Sequence, residues 1–316
     1  MTELYSAMKT NNLNHGSNNL TRSLGISAAR WQHSVVYRID VTSFADSDDD
    51  GKGDLHGLID RLDYIASLGI DAIQIVGWTD LGREISKRET DNYIGQLVIA
   101  AKARGLRLLP DFNKEAGYKI YSLARIHRPA VLASTLTKII NSPERSVVLM
   151  DDDKNRLLHH YGSPGHNRRK ARLMATILAT LPATLCLYQG QELGLPYSIP
   201  MPWDYDEDSE LYSLSVSVQD DDELSTLNYY RQVIAVRKSS LILQDGASQV
   251  TRDRRGVLAY LRCVGHEGLL TVANLTDRPL RPKTPLVGQI VLASQLDRTN
   301  LDNTELQPYE AVVLRV

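Results

Sequence analysis

Residues 34–58, SVVYRIDVTSFADSDDDGKGDLHGL, join a β-branched apolar run to an amphipathic helix through a loop crowded with carboxylates. Asp46, Asp48, Asp50 and Asp54 stand at alternate positions around Gly51 and Gly53. Carboxylates this close repel one another unless a cation lies between them. Oxygen ligands at alternate positions, with glycines that permit a tight turn, suit a hard cation such as Ca²⁺. The same residues also read as a solvated acidic turn. Either way the loop marks a strand passing into a helix, the place where α/β enzymes carry their chemistry.

That strand-to-helix unit repeats downstream. Leu58, Ile59, Leu62, Ile65 and Ala66 lie at helical spacing, predicting one helix over 55–68 that Gly69 stops. Residues 71–76 (DAIQIV) read as a buried strand, 92–104 as a helix ended by Gly105, and 106–112 as a strand ending at Asp111. Short connections between alternating strands and helices predict parallel pairing. A strand within 118–126, a helix over 129–140 opened by Pro129, and a strand at 146–150 follow. The last runs into Asp151-Asp152-Asp153. A helix over 167–181, a strand over 183–188 and a helix over 224–241 complete the α/β part.

After about Gln244 the texture changes to short alternating runs at 257–262, 269–274, 289–293 and 311–316, separated by turn residues. These predict a small antiparallel β-sandwich. The domain reading is a mobile polar extension over 1–29, an α/β domain over 30–243 and a sandwich over 244–316.

With a formal net charge of −2, no basic surplus favours nucleic acid or an anionic membrane. The longest apolar stretch, 173–188, is broken by Thr176, Thr180, Pro182 and Thr184 and is too short to span a bilayer. Cys186 and Cys263 are the two cysteines and both sit in apolar runs, which predicts no disulfide framework. With no apolar signal-peptide core in residues 1–30, a cytoplasmic location is expected. His159, His160 and His166 cluster near a turn, but no further Cys or His stands at zinc-ligand spacing, so surface histidines are the better reading.

Four blocks in order resemble the α-amylase family of glycoside hydrolases, most of all its α-glucosidase and oligo-1,6-glucosidase branch. VVYRIDVTSFADSDDDGKGDLHGLIDRLDYIASLGIDAIQI looks like that family's first strand, calcium loop and second strand. AKARGLRLLPDF is similar to its helix into the third strand. VVLMDDDKNRLLHHYG and LPATLCLYQGQELGLP resemble its seventh and eighth strands, and IPMPWD, YYRQVIAVRKSSLIL and LQPYEAVVLRV its last helix and β-sandwich domain. The resemblance implies a (β/α)8 TIM-type barrel followed by a small antiparallel β-sandwich. It implies a structural Ca²⁺ held by Asp46, Asp48, Asp50 and Asp54 and the Lys52 carbonyl, and an α-glucoside ligand. Asp153 falls at the family's transition-state-stabilising Asp, with Asp111 and Arg156 as substrate contacts. The QGQELG motif around Glu192 is expected to be architectural.

The departures point elsewhere. Retaining glycosidases need a nucleophilic and an acid/base carboxylate about 5 Å apart. The family draws them from a Gly-Phe-Arg-x-Asp pattern on strand four and a Glu ending strand five. Neither is found here. Only 32 residues separate Asn113 from Ser146, and one strand–helix–strand unit takes about 30. The barrel is therefore expected to be shortened, with its central part missing. Glu115 and Ala116 stand where the third-strand motif has Asn and His.

Three functional expectations follow: a catalytically degenerate α-amylase-type protein, an active α-glucosidase or transferase with relocated carboxylates such as Asp111 and Glu115, or a deletion remnant without selected function. Exposed edges of a shortened barrel also predict self-association.

Overall fold

The computed structural model describes residues 33–76, 87–109, 118–152, 154–163 and 165–316. The expected extension over 1–29, and Asp111, Glu115, Ala116 and Asp153, lie outside these residues.

Six parallel strands form the first sheet: β1 (Val35–Asp40), β2 (Ala72–Val76), β3 (Arg107–Leu109), β4 (Lys119–Ser122), β5 (Ser146–Leu149) and β6 (Thr184–Tyr188). Their order is β3-β2-β1-β6-β5-β4, so β1 is central and pairs in parallel with both β2 and β6. Both faces of such a strand are covered, which is why VVYRI is almost continuously apolar. Val35, Tyr37 and Ile39 turn toward the helices and join the main core, whereas Val36 packs with Ala72, Leu109, Val147 and Cys186 on the opposite face. This is the layered packing of a TIM-type barrel, shortened to six strands among the described residues.

The helices are α1 (Leu55–Asp60), α2 (Leu62–Ser67), α3 (Lys87–Ala103), α4 (Pro129–Asn141), α5 (Leu157–His160), α6 (Asn167–Thr180), α7 (Val216–Asp221), α8 (Thr226–Ser239) and α9 (Leu241–Asp245). Two of these correct the sequence expectation. The single helix over 55–68 is divided, because Arg61 takes φ −97° and ψ 9°. Its guanidinium lies 4.4 Å over the Trp203 ring. The helix over 224–241 starts at the Ser225 cap and stops at Ser240, whose extended backbone and side-chain oxygen cap α9 instead.

Arg237 on α8 is fully buried and ties the α6-to-β6 turn together. Its guanidinium donates to the carbonyls of Ala179 (2.9 Å), Leu181 (2.8 Å) and Ala183 (2.5 Å), and its Nε to that of His33 (3.1 Å). A rigid fork of donors suits such a set of orphan carbonyls.

The second sheet is antiparallel, in the order β10-β11-β9-β8-β7. It comprises β7 (Ala247–Thr251), β8 (Val257–Val264), β9 (Glu267–Asn274), β10 (Gln289–Ala293) and β11 (Ala311–Arg315). The edge strand β7 was not expected, since ASQVT carries little apolar signal and no residue of it is fully buried. One face of the sheet brings Leu258, Tyr260, Leu269 and Val313 into the main core, and the Tyr260 hydroxyl lies 2.6 Å from that of Thr180 on α6. The other face, with Val257, Val272 and Leu314, is covered by Leu280, Leu286 and Leu306, and an isolated bridge joins Leu280 to Leu306. No helix among the described residues is long and apolar enough to cross a membrane. Neither cysteine is in a disulfide among the described residues.

Candidate functional site

The C-terminal ends of β1, β5 and β6 converge on one mouth. Paired residues of parallel strands point the same way, so the register Arg38↔Gln74 and Arg38↔Tyr188 sets these three side chains on the interior face. Arg38 Nη1 donates to Gln74 Oε1 at 2.9 Å. Asp40 ends β1, half-buried, and its amide donates to Gln189 Oε1 at 2.8 Å. The Gln189 amide in turn donates to the Ser43 carbonyl and hydroxyl at 3.1 and 3.0 Å, closing the first loop onto the end of β6. Asp40 Oδ1 accepts from the Thr42 amide (3.1 Å) and hydroxyl (2.7 Å). The sequence reading did not single out Asp40. The available signal was a charged residue closing an otherwise apolar strand.

Asp151 and Arg156 belong to the interior rather than to a ligand surface. Arg156 Nη1 lies 3.4 Å from Asp151 Oδ2, with the two side chains 1% and 0% exposed. Nη2 donates to the Gln189 carbonyl at 2.8 Å, and the guanidinium stacks 4.8 Å from the Tyr188 ring. Asp151 Oδ1 accepts from the Leu157 amide at 2.8 Å and so anchors α5. Burial raises the Asp151 carboxyl above its ordinary value, against the pull of Arg156 and the Leu157 amide. Arg156, expected to touch substrate, is thus turned inward to neutralise a buried carboxylate. Asp152 caps its own turn, accepting from the Lys154 and Asn155 amides at 3.0 and 2.7 Å.

Glu192 is fully buried, and its Oε1 accepts from the hydroxyls of Tyr37 and Tyr64, each at 2.6 Å. Its Oε2 is buried without a hydrogen-bond partner. Burial raises its carboxyl, opposed by the two phenols. The side chain ties β1, α2 and the loop after β6 together.

In the acidic loop, Asp46, Asp48 and Asp50 are exposed and bring oxygens within 4.8 Å of one another. They are the carboxylate, His or Cys group of three that the described residues place at metal-holding distance. Backbone amides build the arrangement: Asp48 and Gly51 donate to Asp46 at 3.1 and 2.7 Å, and Lys52 to Asp50 at 2.8 Å. Desolvation pulls the Asp46 carboxyl up, but the amides of Gly51, Asp48, Asp49 and Asp50 together outweigh it and hold the carboxyl low. Asp48 is raised by desolvation and by the charge of Asp50. Gly51 has φ +89°, and a Cβ on Gly53 would sit 2.0 Å from the Val41 carbonyl oxygen. Asp54, expected as a fourth side-chain ligand, does not join the cluster. One oxygen caps α1 through the Gly57 amide (2.8 Å), and the other accepts from the Ser47 amide and hydroxyl (both 2.9 Å). Carboxylate oxygens are the ligand type that hard cations take, and these three come from one turn between β1 and α1.

The structure brings His159 and His160 together with His127, at ring separations of 4.7 and 5.2 Å. It leaves His166 apart, against Tyr309.

Residues 38–94 match the family model described as Alpha amylase, catalytic domain. A "Probable alpha-glucosidase" of Rhizobium meliloti (strain 1021) is 28% identical over 172 residues, covering 40% of this chain and 31% of that protein. A "Probable oligo-1,6-glucosidase 2" of Bacillus subtilis (strain 168) is 39% identical over 94 residues, covering 26% of this chain and 17% of that protein. The chain thus spans less than a third of the length of these curated relatives. Among solved structures, a trehalulose synthase mutant in complex with Tris superposes with a TM-score of 0.75 at 16% identity, across 90% of this chain and 99% of that one. Isomaltulose synthase from Klebsiella sp. LX3 gives 0.66 at 17% identity, across 90% and 99%. Residues 38–94 thus carry the sequence match to the α-amylase catalytic domain, and nine-tenths of the chain shares the fold of the trehalulose synthase structure.

Proposed function

We propose that this chain is a catalytically degenerate α-amylase-type protein whose barrel serves α-glucoside binding rather than hydrolysis. The observation that carries the reading is the joint between β3 and β4. Residues 110–118 alone separate Leu109 from Lys119, and a strand–helix–strand unit takes about 30 residues. From there to β5 the described residues hold one strand, β4, and one helix, α4, where the family has separate strands for its nucleophile and its acid. Two carboxylates about 5 Å apart across a glycosidic bond are the minimum for retaining chemistry. Asp151 and Glu192, though carboxylates near the barrel mouth, are spent on Arg156 and on two tyrosines. The α-glucoside class is carried by the relatives' names. Calcium at Asp46, Asp48 and Asp50 is part of the same proposal, as a structural ion. So is self-association, since β3 and β4 end the sheet among the described residues and unpaired edges recruit partners.

The test is release of p-nitrophenol from p-nitrophenyl α-glucoside by purified protein with calcium present, beside Asp153→Asn. The expected result is no release above the variant. Release that disappears in the variant overturns the reading. A second reading, an active enzyme with relocated carboxylates, is favoured by Asp40 at the end of the central strand. Under it, Asp40→Asn abolishes that release as well.

A further inference from the structure

On the flank of the barrel, α2, α7 and α8 enclose a cleft of about 490 Å³ with Trp203 and Tyr64 in its wall. We propose that this cleft is a saccharide-binding site separate from the mouth of the barrel. Its volume lies within the range of small-molecule sites. The two aromatic rings meet edge-on at 5.0 Å, and the Trp203 indole is fixed by its Nε1 donating to the Phe44 carbonyl at 2.6 Å. That leaves a rigid apolar wall of the kind the C–H face of a pyranose packs against.

Around this wall stand donors and acceptors of both kinds. Ser217 donates to Asp204 at 2.8 Å, and Arg231 donates to Ser67 at 2.9 Å and to Asp220. Charges of both signs line the cleft, Arg61 and Arg231 beside Asp63, Asp204 and Asp220. Asp63 is paired to Arg104 and Asp220 to Arg231. A strongly charged ligand gains nothing from such a lining, whereas a neutral polyhydroxylated one finds both partners for its hydroxyls. Arg61, exposed and stacked on Trp203, is the side chain a sugar ring would displace from the indole. The choice of an α-glucan as the saccharide rests on the proposed function; the cleft chemistry does not.

Isothermal titration of the full chain with maltotriose, and separately with cellotriose, tests this. Asp204→Ala and Ser217→Tyr change exposed residues, and circular dichroism checks that both variants fold. Saturable maltotriose binding that weakens at least tenfold in both variants, and is unchanged in Asp153→Asn, is the expected result. Binding of cellotriose with the same variant pattern upholds the cleft and removes the α-glucoside reading. No heat with either sugar, or binding unchanged in both cleft variants, overturns the proposal.

Discussion

Arg156 and Asp151 meet inside the molecule, 3.4 Å apart, where neither side chain reaches solvent. A buried pair is costly to break because the survivor is left as an uncompensated charge. Arg156→Met is therefore expected to destabilise by about 3–5 kcal/mol, read as a drop in the urea midpoint. The double change Asp151→Leu with Arg156→Met should recover part of that loss, since it leaves no orphan charge. If the single change is silent, the pair does not form.

His33 predicts an acid-sensitive step. Burial and the neighbouring cations Arg237 and Arg262 lower its imidazole from 6.5 to about 4. The unfolded chain therefore takes up the proton first as pH falls. The stability that His33 contributes is whole above pH 6.5 and is lost between 6.5 and about 4. His33→Gln should flatten the fall of the urea midpoint through that window. An equal fall in the variant would assign the acid sensitivity to other groups.

For the acidic loop, added CaCl₂ should raise Tm in a concentration-dependent way, with a stabilisation of about 2.7 kcal/mol at a hundredfold excess over Kd. Asp48→Asn should remove the increment. Asp54→Ala should lower stability by about 1 kcal/mol with or without calcium and leave the increment in place, because Asp54 caps α1. Indifference of Tm to calcium sinks the metal assignment.

The two loop glycines should respond differently. Gly53→Ala drives a Cβ to 2.0 Å from the Val41 carbonyl oxygen, so the backbone must move, at about 1–3 kcal/mol. Gly51→Ala meets no atom within 4 Å and bears only the φ +89° penalty, about 1–2 kcal/mol. Thermal denaturation of both variants checks the order, and a larger loss for Gly51→Ala would contradict the loop packing.

Much of the fold was legible because it depends on local periodicity. The β-branched VVYRI run, Pro129 opening α4, and the strand-to-helix alternation are each encoded within a few residues, and β1, α4 and β6 appear where their patterns place them. The carboxylates of the acidic loop were legible for the same reason, being neighbours in sequence. What local pattern could not decide was where polar groups end up once strands and helices pack. Arg156 and Asp54 look alike in sequence to residues that face a ligand. One is buried against a carboxylate and the other is used by a helix end, since a buried charge and an orphan N-terminal amide must each find a partner. Likewise β7, with no fully buried residue, exists because β8 pairs with it, and the split at Arg61 sets a guanidinium over an indole 142 positions away in the numbering. The residue types and spacings determined most of the elements and the family resemblance; only the tertiary contacts decided the edge strand β7, the break at Arg61 and which charges are structural, because desolvation and pairing are properties of the packed chain.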